Sequence, residues 1–222
     1  MAVSGVNLTA VTNGDPERSL VLSYAPLAAR PGLAALFALD DRLSRIVRET
    51  SAPAIGQLRL TWWFEALERL DRESAPAEPL LQAVKDRVLP AGVTGAALAG
   101  MIDGWEPLVL DDAPDWGLVG RERGGRLFEA AARLLGAADP RIGAMGEGWA
   151  LAEFATRWRH PGGSPARDLA AGRLADLFGP ALPRALRPLG ALALLARSDL
   201  AGSRPGSPGR VARLLAHRLT GR

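Results

Sequence analysis

PGLAALFALDDRLSRIVRETSAPAIGQLRLTWWFEALERL, residues 31–70, decides the fold. Leu33, Leu36, Phe37, Leu43 and Val47 recur at helical spacing, so one face of a first helix is apolar. Ser51 and Pro53 stand where a cap and a first-turn proline belong, and a second helix is expected from there to about Leu70. Its core face is read as Ile55, Leu58, Trp62, Ala66 and Leu70. Asp40 lies on the apolar stripe of the first helix, which marks it as a candidate functional carboxylate. Asp41 and Arg45, like Arg45 and Glu49, stand four residues apart and read as pairs on a solvated face.

Composition extends the helical reading to the whole chain. Its 222 residues suffice to bury a core, aromatics are scarce and no alternating strand pattern is seen. The expectation is an all-α, single-domain helical bundle. Basic side chains number 27 against 24 acidic, a net +3, and Lys85 is the single lysine. The arginines are dispersed, so nucleic-acid binding is not expected. Cysteine is absent, which excludes disulfides, thiolate metal sites and a cysteine nucleophile. No basic segment followed by an apolar run opens the chain, and the longest weakly polar runs are too short to span a bilayer. The expected location is cytoplasmic.

Turn signals divide the chain into a flexible N-terminus (1–16), a helical domain (17–201), a linker (202–209) and a basic C-terminal helix (210–222) docking on that domain. Glu17–Ala29 is read as one short helix, Val93–Trp105 as another and Trp116–Leu135 as a third. Asp115 reads as a helix cap within the acidic loop Asp111, Asp112 and Asp115. Gly124 and Gly125, adjacent in a helix, point to a kink or a close backbone approach. Glu153 and Arg157 are spaced to pair, and His160 reads as a dipole partner at a helix end. The end, with Val211, Leu214, Leu215 and Leu219 among arginines, suits docking on the domain, a partner or an anionic membrane.

Several of these segments together resemble the squalene/phytoene synthase family. Leu36-Phe37-Ala38-Leu39, Ile46-Val47 and Glu49 match the frame of its first aspartate-rich helix, and Trp62-Trp63 its paired-tryptophan helix. Met101-Ile102-Asp103-Gly104 is similar to its Met-Ile-Glu-Gly, and Gly146, Gly148, Leu151 and Phe154 keep the apolar frame of its second motif. In this register the first motif's aspartates fall on Ser44, Arg45 and Arg48. The second motif's glutamine, asparagine and aspartate fall on Ala150, Glu153 and Arg157. A rival register starts an Asp-Asp-x-x-Asp box at Asp40-Asp41, but its third position is Ser44.

The resemblance implies an isoprenoid-synthase-type bundle, with Tyr24, Asp40, Arg59, Trp62, Trp63, Gly124 and Gly125 as candidates to line the cavity or hold phosphate. Active members of the family bind magnesium and prenyl diphosphates through the two acidic motifs. With arginines at those positions, neither a catalytic residue nor a metal site is expected. The implied role is a scaffolding, lipid-handling or respiratory-complex assembly task, since a branch of the family resembles mitochondrial complex I assembly factors. Arg59-Leu60-Thr61-Trp62-Trp63 has the look of that branch. Its partners would be a respiratory-complex or membrane-associated protein, and its place peripheral on the inner face of the membrane. The arginines could also hold a prenyl diphosphate or lipid phosphate without metal. The alternatives are an active magnesium-dependent prenyl transferase with Asp40 and Asp41 as ligands, and a helical interaction module with a closed cavity.

Overall fold

The structure, a computed structural model, describes residues 16–158 and 163–222, the side chains at 163 and 164 excepted. The expected flexible N-terminus as far as residue 15, and His160, lie outside the described residues. The principal helices among the described residues are α1 (Pro16–Leu22), α2 (Arg30–Glu49), α3 (Pro53–Arg69), α4 (Pro79–Arg87) and α5 (Gly95–Ala99), then α6 to α10, with one further helical turn at Pro107–Leu110. Helix α6 comprises Trp116–Val119, a π-helical stretch Gly120–Gly125, and Arg126–Leu134. Helix α7 (Ile142–Glu153) continues into a second π-helical stretch, Phe154–Trp158. Helices α8 (Gly163–Leu174), α9 (Arg187–Leu200) and α10 (Pro208–Thr220) complete the fold. No strand occurs among the described residues.

The core forms around α7, which packs on the π stretch of α6, on α8 and on α9. Helix α2 packs on α4 and α6, and α3 on α5. Glycine permits the tightest approach: a Cβ on Gly124 would stand 2.1 Å from the Gly146 carbonyl oxygen, and a Cβ on Gly146 equally close to that of Gly124. The paired glycines therefore mark both a close contact and a break in α-helical register.

Local chemistry explains most helix boundaries and corrects some expectations. Pro53 does open α3, but its N-cap is Ala52, which has no side-chain acceptor, and Ser51 lies outside. Asp115 caps α6 as its residue type suggests, accepting from the Gly117 and Leu118 amides. The expected helix Glu17–Ala29 breaks after Leu22 and resumes as a 3₁₀ turn at Leu27–Ala29. Helix α5 tightens after Ala99 into a 3₁₀ segment, Gly100–Gly104.

The buried face of α3 also differs from the expected one. Leu60, Trp63, Ala66, Leu67 and Leu70 are buried, whereas Ile55, Leu58 and Trp62 are exposed, Leu58 to 67 %. The helix is apolar on nearly every side, so spacing alone does not choose its inner face. Close contact chooses it: a Cβ on Gly56 would meet Val109 at 2.9 Å.

The C-terminal helix is fixed to the bundle by polar anchors. Arg210 is buried between Glu17 of α1 (2.8 Å) and Asp199 of α9 (2.6 Å). His217 is enclosed with its ring nitrogens on the carbonyls of Arg222 and Arg187, and burial lowers its pKa. Among the described residues no single helix is long and apolar enough to cross a membrane.

Candidate functional site

Asp40, halfway along α2, is buried because its position falls on the face that also carries Leu33, Leu36, Leu43 and Ser44. Across the core, the π stretch of α6 turns Arg123 inward between Val119 and Leu127, which share its stripe. The two side chains meet in a two-pronged ion pair: Nε and Nη2 of Arg123 donate to Oδ1 and Oδ2 of Asp40, each at 2.9 Å. Nη2 also donates to Glu153 Oε2, from the end of α7. Arg18 of α1 donates to the other Glu153 oxygen at 2.9 Å. Two guanidinium groups and two carboxylates thus form a neutral cluster joining α1, α2, α6 and α7.

Aromatic rings surround the cluster. The Arg123 guanidinium carbon lies 4.1 Å from the Trp105 ring centroid, 4.7 Å from Phe154 and 5.2 Å from Trp149. Arg18 lies 5.1 Å from the Trp149 ring. Arg123 is 1 % exposed, and its Nη1 has no hydrogen-bond acceptor among the described residues. The ring faces give that edge a cation–π contact in place of water. Gly104 admits the arrangement, since a Cβ there would stand 2.5 Å from the Arg123 amide nitrogen.

The electrostatics follow from this enclosure. For Arg123, burial favours loss of the proton, but Asp40 and Glu153 outweigh it and raise the pKa, so the group stays charged. Burial pushes Glu153 up, yet Arg18 and Arg123 more than reverse this and hold it at about 2. Burial raises Asp40, against the pull of Arg123.

Magnesium does not fit this donor set. It requires several hard oxygen ligands in near-octahedral array, whereas both carboxylates here are occupied by guanidinium groups. Among the described residues, no group of three or more His, Cys, Asp or Glu is placed to hold a metal ion. Asp41 points elsewhere and pairs with Arg45 at 3.1 Å.

The structure gathers some sequence candidates and separates others. Asp40 and Glu153 meet at the cluster, with Ser44 buried one turn along α2. Gly124 sits beside the cluster against Gly146 and Ala150, while Gly125 has only ordinary contacts. At its edge, Arg48 lies over the Trp158 ring at 5.4 Å and Arg157 reaches Asp199 at 3.6 Å. Arg59, Trp62 and Trp63 line a separate hollow of about 260 Å³ between α2 and α3, with Arg42, Arg45 and Glu49. Tyr24 lies apart from both, under the Arg218 guanidinium at 4.2 Å. Arg123 and Arg18 were not among the site candidates read from the sequence. For Arg123 a signal existed: a charge four residues from both Val119 and Leu127 on an otherwise apolar stripe.

Residues 11–117 match the squalene/phytoene synthase family model. The crystal structure of a dehydrosqualene synthase in complex with ligand is similar in fold, with a TM-score of 0.74 at 13 % sequence identity. That likeness covers 96 % of this chain and 93 % of the other. No curated protein matches the chain in sequence.

Proposed function

We propose that the chain is a member of the squalene/phytoene synthase family, whose model matches residues 11–117, and that it keeps the bundle without the prenyl-transfer reaction. Its role is that of a non-enzymatic scaffold, in respiratory-complex assembly or the handling of a lipid, working peripherally at the inner face of a membrane. One observation carries the loss of catalysis: Asp40 and Glu153 converge on the side chain of Arg123. Diphosphate departure in this chemistry relies on magnesium to neutralise the leaving group. A dication placed beside Arg123 is repelled by roughly several kcal/mol in so poorly hydrated a site. The guanidinium itself does not replace the ion, because Nε and Nη2 are engaged by Asp40 and Glu153 and aromatic rings cover its faces. The arginines at 45, 48 and 157 add positive charge at the family's acidic positions.

The test is product formation from farnesyl and geranylgeranyl diphosphate with magnesium. The expected result is no squalene- or phytoene-like product and no diphosphate release above the buffer rate. Turnover would restore the alternative, an active magnesium-dependent prenyl transferase using Asp40 and Asp41. A second reading rests on the hollow beside Arg42, Arg45 and Arg59, whose guanidinium groups and tryptophans suit a prenyl diphosphate or lipid phosphate bound without metal. Thermal stabilisation by a prenyl-diphosphate analogue in the presence of a chelator, lost in Arg59→Ala, would support it. Recovery of a respiratory-complex subunit with the tagged chain from membranes tests the assembly role.

A further inference from the structure

Helix α10 buries Arg210, Leu214 and His217 against the bundle and leaves a second apolar stripe outward. Val211, Leu215 and Leu219, at four-residue spacing, are 41 %, 48 % and 77 % exposed. Their burial therefore adds little to the fold. Beside the stripe opens a concavity of about 550 Å³ lined by Tyr24, Arg184, Arg187, Leu215, Arg218 and Leu219, together with Pro188. Among the described residues no carboxylate lines it. Leu20 and Leu27, on either side of Tyr24 in sequence, are exposed as well.

The charges here differ from those of the core and of the α2–α3 hollow. Arg123, Arg141, Arg173 and Arg210 each have a carboxylate partner, and in the α2–α3 hollow Asp41 and Glu78 answer Arg45 and Arg42. Arg184, Arg187 and Arg218 have none among the described residues. Arg187 donates to the carbonyls of Arg218 and Leu219, which holds the end of α10 in place. Arg218 lies over Tyr24. Unanswered guanidinium groups around protruding leucines match a lipid interface, where phosphates lie at the level of the charges and acyl chains just beneath.

We propose that this face, formed by α10 with Tyr24 and Arg184, docks the protein on an anionic phospholipid bilayer. The leucines enter the headgroup boundary while Arg184 and Arg218 meet lipid phosphates. The face is separate from the Arg123 cluster, so the inference stands whether or not the centre turns over a prenyl substrate.

The experiment is co-sedimentation of the full chain with vesicles of phosphatidylcholine alone, or of phosphatidylcholine and phosphatidylglycerol in equal parts. Binding is expected only to the anionic vesicles, and to weaken as salt is raised. Arg184→Glu with Arg218→Glu is expected to lower partitioning on the order of 30-fold or more, since each basic residue near such a surface contributes about 5-fold. Leu215→Gln with Leu219→Gln is expected to weaken it too. All four side chains are exposed, and circular dichroism checks that the helices are retained. Arg72→Glu with Arg133→Glu changes the net charge equally on other surfaces and is expected to bind like the parent. Failure of the parent to bind, equal binding to neutral vesicles, undiminished binding by the face variants, or an equal loss in the control overturns the proposal. In each case the face is left to an acidic protein partner.

Discussion

Arg123 and Arg210 are equally buried, and each lies between two carboxylates drawn from different helices. Their surroundings separate them. Arg123 is ringed by Trp105, Trp149 and Phe154 at the middle of the bundle. Arg210 lies at the periphery, and its remaining contact is the Ser203 carbonyl on the segment leading into α10. The same ionic device therefore does two jobs. In the centre it joins four helices through a buried cluster; at the edge it fastens a terminal helix. The partner carboxylates are somewhat more exposed at the edge, Glu17 to 14 % and Asp199 to 17 % against 8 % for Asp40 and 12 % for Glu153, so solvent relaxes more readily around a broken pair there.

Removing each arginine tests that contrast. Arg123→Ala strands Asp40 and Glu153 in the core, and a loss of about 3–5 kcal/mol is expected by urea denaturation. A loss below about 1 kcal/mol would mean that the rings, and not the ion pairs, hold the centre together. Arg123→Lys is expected to recover little, since an ammonium cannot span Asp40 and Glu153 with a planar fork.

Acid provides the next effect. The Glu153 pKa falls from the ordinary 4.5 to about 2 on folding. A carboxylate lowered in this way stabilises the fold above its unfolded pKa and loses that contribution as pH drops from 4.5 towards 2. The loss is at most about 3 kcal/mol. Asp40, raised by burial, opposes it, because protonation of that group favours the folded state. Glu153→Gln should flatten the acid limb of a pH–stability curve; an unchanged limb would assign it to other carboxylates.

Arg210→Ala is expected to cost about 2 kcal/mol, the scale of hydrogen bonds to charged groups. Its signature is local: hydrogen exchange should accelerate in 203–222 and leave α7 protected. Loss of protection throughout would erase the distinction between centre and edge.

The smallest effects concern the platform that presents Arg123. Gly124→Ala forces a methyl against the Gly146 carbonyl and is expected to cost about 1–3 kcal/mol. Gly125→Ala meets nothing closer than 3.7 Å at helical dihedrals, so a gain of up to about 1 kcal/mol is expected. Melting temperatures of the two variants should move in opposite directions.

Much of the helical frame was legible along the chain because its signals are local. Pro53 opens α3, Asp115 caps α6, and the 33–47 stripe lies inward. Legibility failed where neighbours decided the outcome. On α3 several faces were apolar enough to serve as the core, and the contact at Gly56 selected one. Glu153 and Arg157 have the spacing of a helical pair, but the helix loosens into a π stretch after Glu153. Glu153 pairs instead with Arg18 and Arg123, respectively 135 and 30 residues away. No periodicity records such separations.

Alone, the sequence determined that this is an all-α helical bundle and marked its resemblance to the squalene/phytoene synthase family. It did so because helix periodicity, caps and residue identity are properties of short segments. Tertiary structure alone decided that Asp40 and Glu153 face one another, and that the cation between them is Arg123. That pairing depends on which side chains are brought together away from water, and only the folded chain brings them together.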